Sequence, residues 1–460
     1  MSSTSTADIP YLGIAQLGAL LRSRLISSLE VTRLLLDRIS SIDAQLQSYS
    51  HVSGDLAVEG ARRADLELRR GIDRGPLHGV PVAIKDLCDV EGMPTGAGMV
   101  LSRDISATAD AEVVHRLKDA GAVILGKLEM TEGGFSAYHP SIAAPINPWS
   151  RQLWSGVSSS GCGVATAAGL CFGSIATDTG GSVRWPSAAN GVTGLKPTWG
   201  RLSTRGVVPC SPSLDTVGLM ARSALDCELM MNSVVTSKEE AGSMGVPPKF
   251  RLDGLRVGLD QSYAFRGADE DTQRAVQTSL DLLVSAGATL QSFTMPDTRH
   301  VLPDILTIVA VESVLAHSAT YPSRSAEYGP RVKAIFESAT RVSPDEKRAV
   351  DQRRDEFRHD LQVRFREIDI LVTPVQCFAT PLADHLARQD DDPDQLERLA
   401  RFTCPFNLTG NPTLTLPAGE SGGAPLGVQF VGRLNADELL LCVGKGFQHC
   451  SSWHTRHPPA

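Results

Sequence analysis

The sequence lacks the patterns that mark several special classes of protein. Its nine cysteines are odd in number and never form a C-x-x-C pair, so it predicts neither a disulfide framework nor a zinc site. It contains no block of lysine and arginine, and the formal net charge is −8. A protein that binds nucleic acid usually carries a basic face, so we expect no nucleic-acid partner.

Long apolar runs are also missing. The first ten residues, MSSTSTADIP, lack the basic and apolar regions of a signal peptide, and no later stretch approaches the roughly 18 apolar residues of a membrane span. Of the 460 residues, 42% are hydrophobic and 21% are charged, which is typical of a folded protein. We therefore expect a soluble cytoplasmic protein with no membrane partner and with reduced thiols.

Three common functional motifs are absent. The chain has no G-x-x-x-x-G-K-[ST] phosphate loop, no G-x-G-x-x-G that opens a helix after a strand, and no G-x-S-x-G nucleophile elbow. Nucleotide binding and an α/β-hydrolase site are therefore not predicted, and no metal or organic cofactor is implied.

The apolar pattern alternates between helix and strand periods. Two amphipathic helices are predicted over residues 9–48, the second with a capping box from Ser27 to Glu30. Strands are predicted at 79–86, 122–126, 255–259, 288–290, 368–374, 414–417 and 427–432, and helices at 54–70, 111–120, 162–170, 270–283 and 436–447. Residues 300–365 are predicted to be mainly helical, and 382–400 an acidic surface loop. This alternation indicates an α/β fold.

Glycine and small hydroxyl residues are concentrated between residues 154 and 197. Glycine at such density is typical of backbone that turns sharply or presents its N–H groups to a ligand. We interpret this stretch as part of an active site.

Three hydroxyl or amine side chains could supply the chemistry of a serine nucleophile. Lys85 lies in an apolar strand, Ser158 begins a run of three serines, and Ser182 follows two glycines. A buried lysine can act as a base toward serine, because burial disfavours its charged form. Each residue also has an ordinary explanation, since such lysines are often at strand edges and such serines often cap helices or turns.

Together, these motifs resemble the amidase signature family. The resemblance rests on 156–161 (GVSSSG), 177–186 (TDTGGSVRWP), 194–197 (GLKP) and the lysine strand 79–86 (GVPVAIKD), with further matches at 126–127, 147–149, 213–218, 407–412 and 427–429. It implies a single large domain over 1–460, with a mixed twisted sheet covered by helices on both faces. Residues 1–70 would form an N-terminal helical portion, 79–220 the signature core, and 295–400 a variable substrate-side region.

The resemblance also implies roles for individual residues. Ser182 would be the nucleophile, Ser158 a bridging serine on a cis peptide, and Lys85 the base. Three further sets of roles are implied: an oxyanion hole at Thr179, Gly180, Gly181 and Ser182; structural support from Asp178 and Arg184; and a substrate-side border at Met130, Gly133, Gly134 and Ser159. Val157 stands where many members have glycine.

The sequence is compatible with several functions. The first is hydrolysis of a small or aromatic amide through an acyl-serine. The same triad could open a carbamate, as in a urethanase, or an ester. The chain could also be the A subunit of a tRNA-dependent amidotransferase, or an inactive binding protein on the same fold. A homodimer is left open as the assembly.

Overall fold

A computed structural model describes residues 8–235, 252–386 and 392–459. At its centre is one sheet, which has eleven strands within these ranges, in the spatial order β1-β3-β2-β4-β6-β5-β10-β11-β9-β7-β8. The strands are β1 (Tyr49–Val52), β2 (Pro81–Lys85), β3 (Val123–Leu128), β4 (Gly173–Asp178), β5 (Thr193–Lys196), β6 (Thr216–Ala221), β7 (Arg256–Leu259), β8 (Thr289–Ser292), β9 (Ile370–Pro374), β10 (Thr413–Ser421) and β11 (Ala424–Gly432).

Helices flank this sheet. They are α1 (Ile14–Arg22), α2 (Ser28–Leu46), α3 (Gly54–Arg69), α4 (Glu112–Asp119), α5 (Ser160–Ala167), α6 (Arg184–Asn190), α7 (Ala224–Val234), α8 (Gln261–Phe265), α9 (Glu270–Ser285), α10 (Val301–Ala316), α11 (Pro330–Ala339), α12 (Pro344–Arg364), α13 (Ala383–Leu386), α14 (Pro393–Ala400), α15 (Cys404–Thr409) and α16 (Asp437–His449). No helix in the described ranges has both the length and the apolar character needed to span a membrane.

Local sequence explains the N-terminal helices. The Ser27 hydroxyl accepts a hydrogen bond from the Glu30 N–H at 3.1 Å, and the Glu30 carboxylate accepts one from the Ser27 N–H at 2.8 Å. The predicted capping box is therefore confirmed, and it satisfies two backbone donors at the start of α2. Val31, Leu35 and Ile39 lie on one face of that helix and are buried in the main hydrophobic core.

The sheet is mixed, as predicted. Strand β2 pairs in parallel with β3 and β4, and β7 pairs in parallel with β8 and β9. The other neighbouring pairs are antiparallel: β1–β3, β4–β6, β5–β6, β5–β10, β10–β11 and β9–β11. Ala83 of β2 lies opposite Ser174 of β4, and Ile84 opposite Ile175. The carboxyl ends of these two strands consequently meet at one edge of the sheet, which is where α/β sheets place ligands.

One sequence prediction was wrong. Residues 382–400 were expected to form an acidic surface loop, but the described part of this segment contains α13 and α14, and residues 387–391 lie outside the described residues. Leu399 and Ala400 at the end of α14 are buried. The prediction followed the acidic composition of this segment and did not use its apolar residues. Leu396, Leu399 and Ala400 have the i, i+3, i+4 spacing of the buried face of a helix.

Candidate active site

Lys85 ends the buried strand β2 and is fully buried. Its Nζ donates a hydrogen bond to the Ser158 hydroxyl oxygen at 2.8 Å and another to the Thr177 hydroxyl oxygen at 2.9 Å. Burial lowers the pKa of Lys85 to about 8, because the ammonium form loses its hydration inside the protein. About one-tenth of this lysine is therefore neutral at pH 7.

Two other lysines are equally buried but have different surroundings. Lys127 donates to the Pro94 carbonyl at 2.9 Å and lies 3.5 Å from a carboxylate oxygen of Asp86. Lys196 donates to the Pro197 carbonyl at 3.0 Å. Among the described residues, no carboxylate forms an ion pair with Lys85. Lys85 is thus the buried lysine whose amine contacts a serine hydroxyl.

The three consecutive serines have separate environments. The peptide bond between Val157 and Ser158 is cis, as the family resemblance implied. The Ser159 hydroxyl donates to the Thr177 carbonyl at 3.1 Å and is fully buried, and Ser160 starts helix α5 and hydrogen-bonds Tyr138. The structure therefore turns Ser158 toward Lys85 and ties Ser159 to strand β4.

Ser182 lies on the turn that joins β4 to α6, together with Thr179, Gly180 and Gly181. None of these four residues donates a backbone hydrogen bond to another described residue. Likewise, no hydrogen bond joins the hydroxyl groups of Ser158 and Ser182 in the described part of the chain. Within the described residues, the turn therefore carries four unpaired N–H groups beside the buried Ser182.

Glycine is required at position 181 of this turn. Gly181 has φ 148°, and a Cβ placed there would lie 2.4 Å from Cε2 of Trp185. A side chain would therefore push the indole away or distort the turn. The Trp185 N–H in turn donates to the Gly181 carbonyl at 2.9 Å, so the turn and the start of α6 are built as one unit.

Asp178 and Arg184 form a fully buried ion pair behind the turn. Asp178 accepts from Arg184 Nε at 3.0 Å and Nη2 at 2.8 Å, and from the Val183 N–H at 2.9 Å. Burial alone would raise the pKa of Asp178, but the charge and hydrogen bonds of Arg184 hold it at about 2. The remaining guanidinium donors bond Thr403, Gln429 and Asn407. All five donors of Arg184 are therefore occupied by protein.

The residues predicted to border the substrate do not line the main cavity near the site. Met130 is fully buried in the main core, and the N–H groups of Gly133 and Gly134 donate to the carbonyls of Ala97 and Thr131. A cavity of about 420 Å³ is lined by residues between Ser136 and Val157, by Trp185, and by residues between Ala383 and Leu399. Met130, Gly133, Gly134 and Ser159 are not among its lining residues.

We call this cavity the aromatic pocket and define it by the side chains that dominate its wall: Tyr138, Trp154, Val157, Trp185, Leu396 and Leu399. Its charged lining residues, Arg151 and Asp384, are exposed. Val157 is adjacent to Ser158, and Trp185 packs against Gly181. The pocket wall therefore includes the residue that precedes Ser158 and the indole that packs against the turn of Ser182, although neither serine lines the pocket. Such a wall suits an uncharged, flat or bulky group.

Some residues of the site were not recognised from the sequence. Thr177, Asn407 and Gln429 all lie in segments that match the family pattern, but no role was assigned to them. Each could have been suspected as a polar residue within an apolar strand or a short motif. In the described ranges, no group of three or more His, Cys, Asp or Glu side chains is placed to hold a metal ion.

Comparison with known proteins identifies the family. The Amidase family model matches residues 30–441. A putative amidase, AmiD, of Mycobacterium tuberculosis (strain ATCC 25618 / H37Rv) is 42% identical over 459 residues, which cover 98% of this chain and 96% of the relative. The chain therefore belongs to the amidase family, as the sequence predicted, and it is a C–N hydrolase of that family.

Other relatives show how widely this architecture is used. The A subunit of the glutamyl-tRNA(Gln) amidotransferase of Roseiflexus castenholzii is 34% identical, with 97% of each chain covered. The native peptide amidase of Stenotrophomonas maltophilia is 25% identical, with a TM-score of 0.80 and coverage of 98% and 99%. A chain solved in work on the evolutionary origins of an s-triazine catabolic enzyme is 28% identical, with a TM-score of 0.86 and coverage of 95% and 98%. The predicted fold is therefore confirmed.

Proposed function

We propose that this chain hydrolyses the C–N bond of a small apolar amide through an acyl-serine, with Ser182 as nucleophile, Ser158 as bridging serine and Lys85 as base. The observation that carries the proposal is the buried, low-pKa Lys85 amine hydrogen-bonded to Ser158. A lysine in this state is suited to proton transfer near neutral pH.

The two hydrogen bonds of Lys85 suggest how the base is oriented. A neutral amine has two N–H groups and one lone pair. If one N–H is donated to Thr177, the lone pair can accept the proton of Ser158. Ser158 then takes the proton of Ser182 as Ser182 Oγ attacks the carbonyl carbon. Two protons therefore move in the same direction, and the net result is the transfer of one proton from Ser182 to Lys85, with Ser158 left as a neutral hydroxyl.

Collapse of the tetrahedral intermediate reverses this transfer. Lys85 returns its proton through Ser158 to the leaving nitrogen, the C–N bond breaks, and the amine departs. Water then attacks the acyl-serine with the same relay as base and releases the acid. We assign stabilisation of the oxyanion to the unpaired N–H groups of Thr179, Gly180, Gly181 and Ser182, where a single donor is typically worth about 3 kcal/mol.

The aromatic pocket supports an aryl or other bulky apolar group on the substrate. An apolar substrate group that packs against the indole and leucine side chains is removed from water, which makes its binding more favourable. A charged or strongly polar substituent would lose its hydration there. This favours an aryl amide. An aryl carbamate or ester has the same shape at the reacting carbonyl and is the nearest alternative substrate.

The amidotransferase alternative fits the pocket less well. The A subunits of glutamyl-tRNA(Gln) amidotransferases are similar to this chain over nearly its whole length, and the triad motifs do not distinguish the two functions. However, an apolar pocket beside the serines favours an apolar amide over a glutamine side chain. We therefore propose a stand-alone hydrolase.

Labelling with a fluorophosphonate probe tests the nucleophile. The wild-type chain should be labelled at Ser182, and Ser182→Ala should lose both labelling and hydrolysis by a factor on the order of 10³ or more. The matched control is Ser279→Ala, because Ser279 is also buried but its hydroxyl donates to the Ala275 carbonyl in α9, far from the proposed relay. Normal hydrolysis by Ser182→Ala would overturn the mechanism.

A substrate panel tests the class of reaction. We expect release of amine from an anilide by the isolated chain, without ATP or added metal, and slower release from an aliphatic amide of equal length. An aryl carbamate turned over faster than the anilide would reassign the chain as a carbamate hydrolase. Activity toward glutamine alone would instead support the amidotransferase alternative.

A further inference from the structure

A buried carboxylate lies next to the turn that carries Ser182. Asp215 precedes strand β6 and is 8% exposed. Its Oδ1 accepts a hydrogen bond from the Thr179 hydroxyl at 2.6 Å, and its Oδ2 accepts from the N–H groups of Cys210 at 2.9 Å and Ser211 at 3.0 Å. One carboxylate therefore joins the turn to the segment 210–215.

This carboxylate has no cationic partner among the described residues. A buried carboxylate is costly unless it is well hydrogen-bonded, so the three donors are what stabilise Asp215. Hydrogen bonds to an ionised acceptor are shorter and about twice as strong as neutral ones, which agrees with the 2.6 Å separation from the Thr179 hydroxyl. The Thr179 side chain is consequently held firmly.

The turn needs such an anchor on this side. Gly180 and Gly181 have no side chains that could fix their orientation, and glycine backbone is conformationally free. After Ser182, the Val183 N–H is held by Asp178 at 2.9 Å. Before the glycines, the side-chain attachment is the bond from Thr179 to Asp215.

We propose that Asp215 is a positioning residue for the oxyanion hole, acting through the Thr179 hydroxyl. It fixes the entry of the turn as Asp178 fixes its exit, so that the N–H groups between them point at one place before substrate arrives. Donors that are oriented in advance need no reorganisation during the reaction. The inference rests on the proposed function, in which these N–H groups stabilise the oxyanion.

The segment 210–215 is itself held from its far side. Glu312 of α10 accepts from the Ser211 hydroxyl at 2.7 Å and the Ser213 N–H at 3.0 Å. Arg354 of α12 donates to the Ser213 hydroxyl at 2.9 Å and to its carbonyl at 2.7 Å. Asp215 therefore connects the turn to two helices of the substrate-side region, and not to a freely moving loop.

Two substitutions of Thr179 separate the hydroxyl from the backbone. Thr179→Val keeps the shape and the backbone N–H but removes the bond to Asp215, and we expect kcat to fall about 10- to 100-fold with KM changed less than threefold. This loss is smaller than the factor of 10² to 10³ for removing an oxyanion donor outright. Thr179→Ser keeps a hydroxyl that can donate to Asp215, and we expect its kcat to stay within about threefold of the wild-type value.

A double-mutant cycle tests whether Asp215 acts through Thr179. We expect Asp215→Asn to lower kcat and the rate of fluorophosphonate labelling, and Asp215→Asn with Thr179→Val to be no worse than the stronger single variant. Asp437→Asn is the control, because Asp437 is a buried carboxylate that accepts from the N–H and hydroxyl of Thr198 at 2.8 and 2.7 Å. It should lower the melting temperature without lowering kcat.

The outcomes distinguish this inference from the proposed function. If the wild-type chain is not labelled at Ser182, the proposed function fails and the inference fails with it. If the wild type is labelled but Thr179→Val and folded Asp215→Asn both keep normal kcat, only the inference is overturned. The inference would also be overturned if the fold-loss of kcat in the double variant equalled the product of the two single fold-losses. Asp215 would then act independently of Thr179.

Discussion

Replacing Thr177 by valine changes the surroundings of Lys85 without changing their shape. The Thr177 hydroxyl accepts a hydrogen bond from Lys85 Nζ at 2.9 Å, and both side chains are buried. This bond stabilises the charged ammonium more than the neutral amine, because hydrogen bonds to charged groups are the stronger ones. Removing the hydroxyl should therefore lower the pKa of Lys85 below its present value of about 8.

The size of the shift follows from the two hydrogen-bond energies. A bond to a charged group contributes about 1.5–3 kcal/mol and a neutral one about 0.5–1.5 kcal/mol, so their difference corresponds to a pKa decrease of about one unit. With a pKa of about 8, about one-tenth of Lys85 is neutral at pH 7. In Thr177→Val, about half would be neutral at that pH.

The rate of fluorophosphonate labelling against pH measures this midpoint, because labelling reports attack by Ser182 without later hydrolysis of an acyl group. In the wild type, the rate should rise with pH through a midpoint near 8 as Lys85 loses its proton. In Thr177→Val, the midpoint should move to lower pH. Thr32→Val is the control, since Thr32 is buried in α2 and its hydroxyl has no hydrogen-bond partner in the described part of the chain. An unchanged or raised midpoint in Thr177→Val would refute the assignment of Lys85 as base.

Two further predictions concern stability. Arg184→Met leaves the Asp178 carboxylate buried without its cation, so we expect a loss of about 3–5 kcal/mol in the free energy of unfolding at pH 7, measured with urea. Because the pKa of Asp178 is depressed to about 2 in the wild type, the stabilisation by this pair is present above pH 4 and is lost as pH falls toward 2. Burial, assisted by the charge of Arg184, lowers the pKa of Lys196 to about 7, so the unfolded chain binds more protons than the folded chain between pH 7 and 10.5 and stability rises with pH there. Lys196→Met should reduce this rise by an amount on the order of a few kcal/mol, visible as a smaller difference in melting temperature between pH 7 and 9.5; an equal rise in the variant would contradict the expectation.

The parts of the site that were predictable are those written in short, contiguous motifs. Lys85 was recognisable as a charge in a buried strand, and Ser158 and Ser182 as hydroxyl groups among glycines. Such patterns are local, so a sequence carries them directly. Arg184 shows the limit, because its partners Asn407 and Gln429 lie 223 and 245 residues further along the chain. No local periodicity predicts which distant amide meets a buried guanidinium.

The wall of the aromatic pocket was missed for a different reason. The acidic run before α14 dominated the composition of 382–400, so the apolar spacing of Leu396 and Leu399 was overlooked. The sequence places Trp185 in a motif but does not show that its ring packs against Gly181 and lines the pocket. Trp185 contacts both the turn and the pocket wall. Its partner in the wall, Leu399, lies 214 residues further along the chain, so a local motif does not predict that contact.

The assembly of the site depends mainly on one strand pairing. Because β2 and β4 are parallel neighbours in register at Ile84 and Ile175, the side chains that follow these positions at the carboxyl ends, Lys85 and Thr177, come within hydrogen-bond distance. The chain then leaves β4 into the turn that carries Ser182. An antiparallel pairing of the same strands would put their carboxyl ends at opposite edges of the sheet. The base therefore reaches the serines through sheet topology, which accounts for its separation of 73 residues from Ser158.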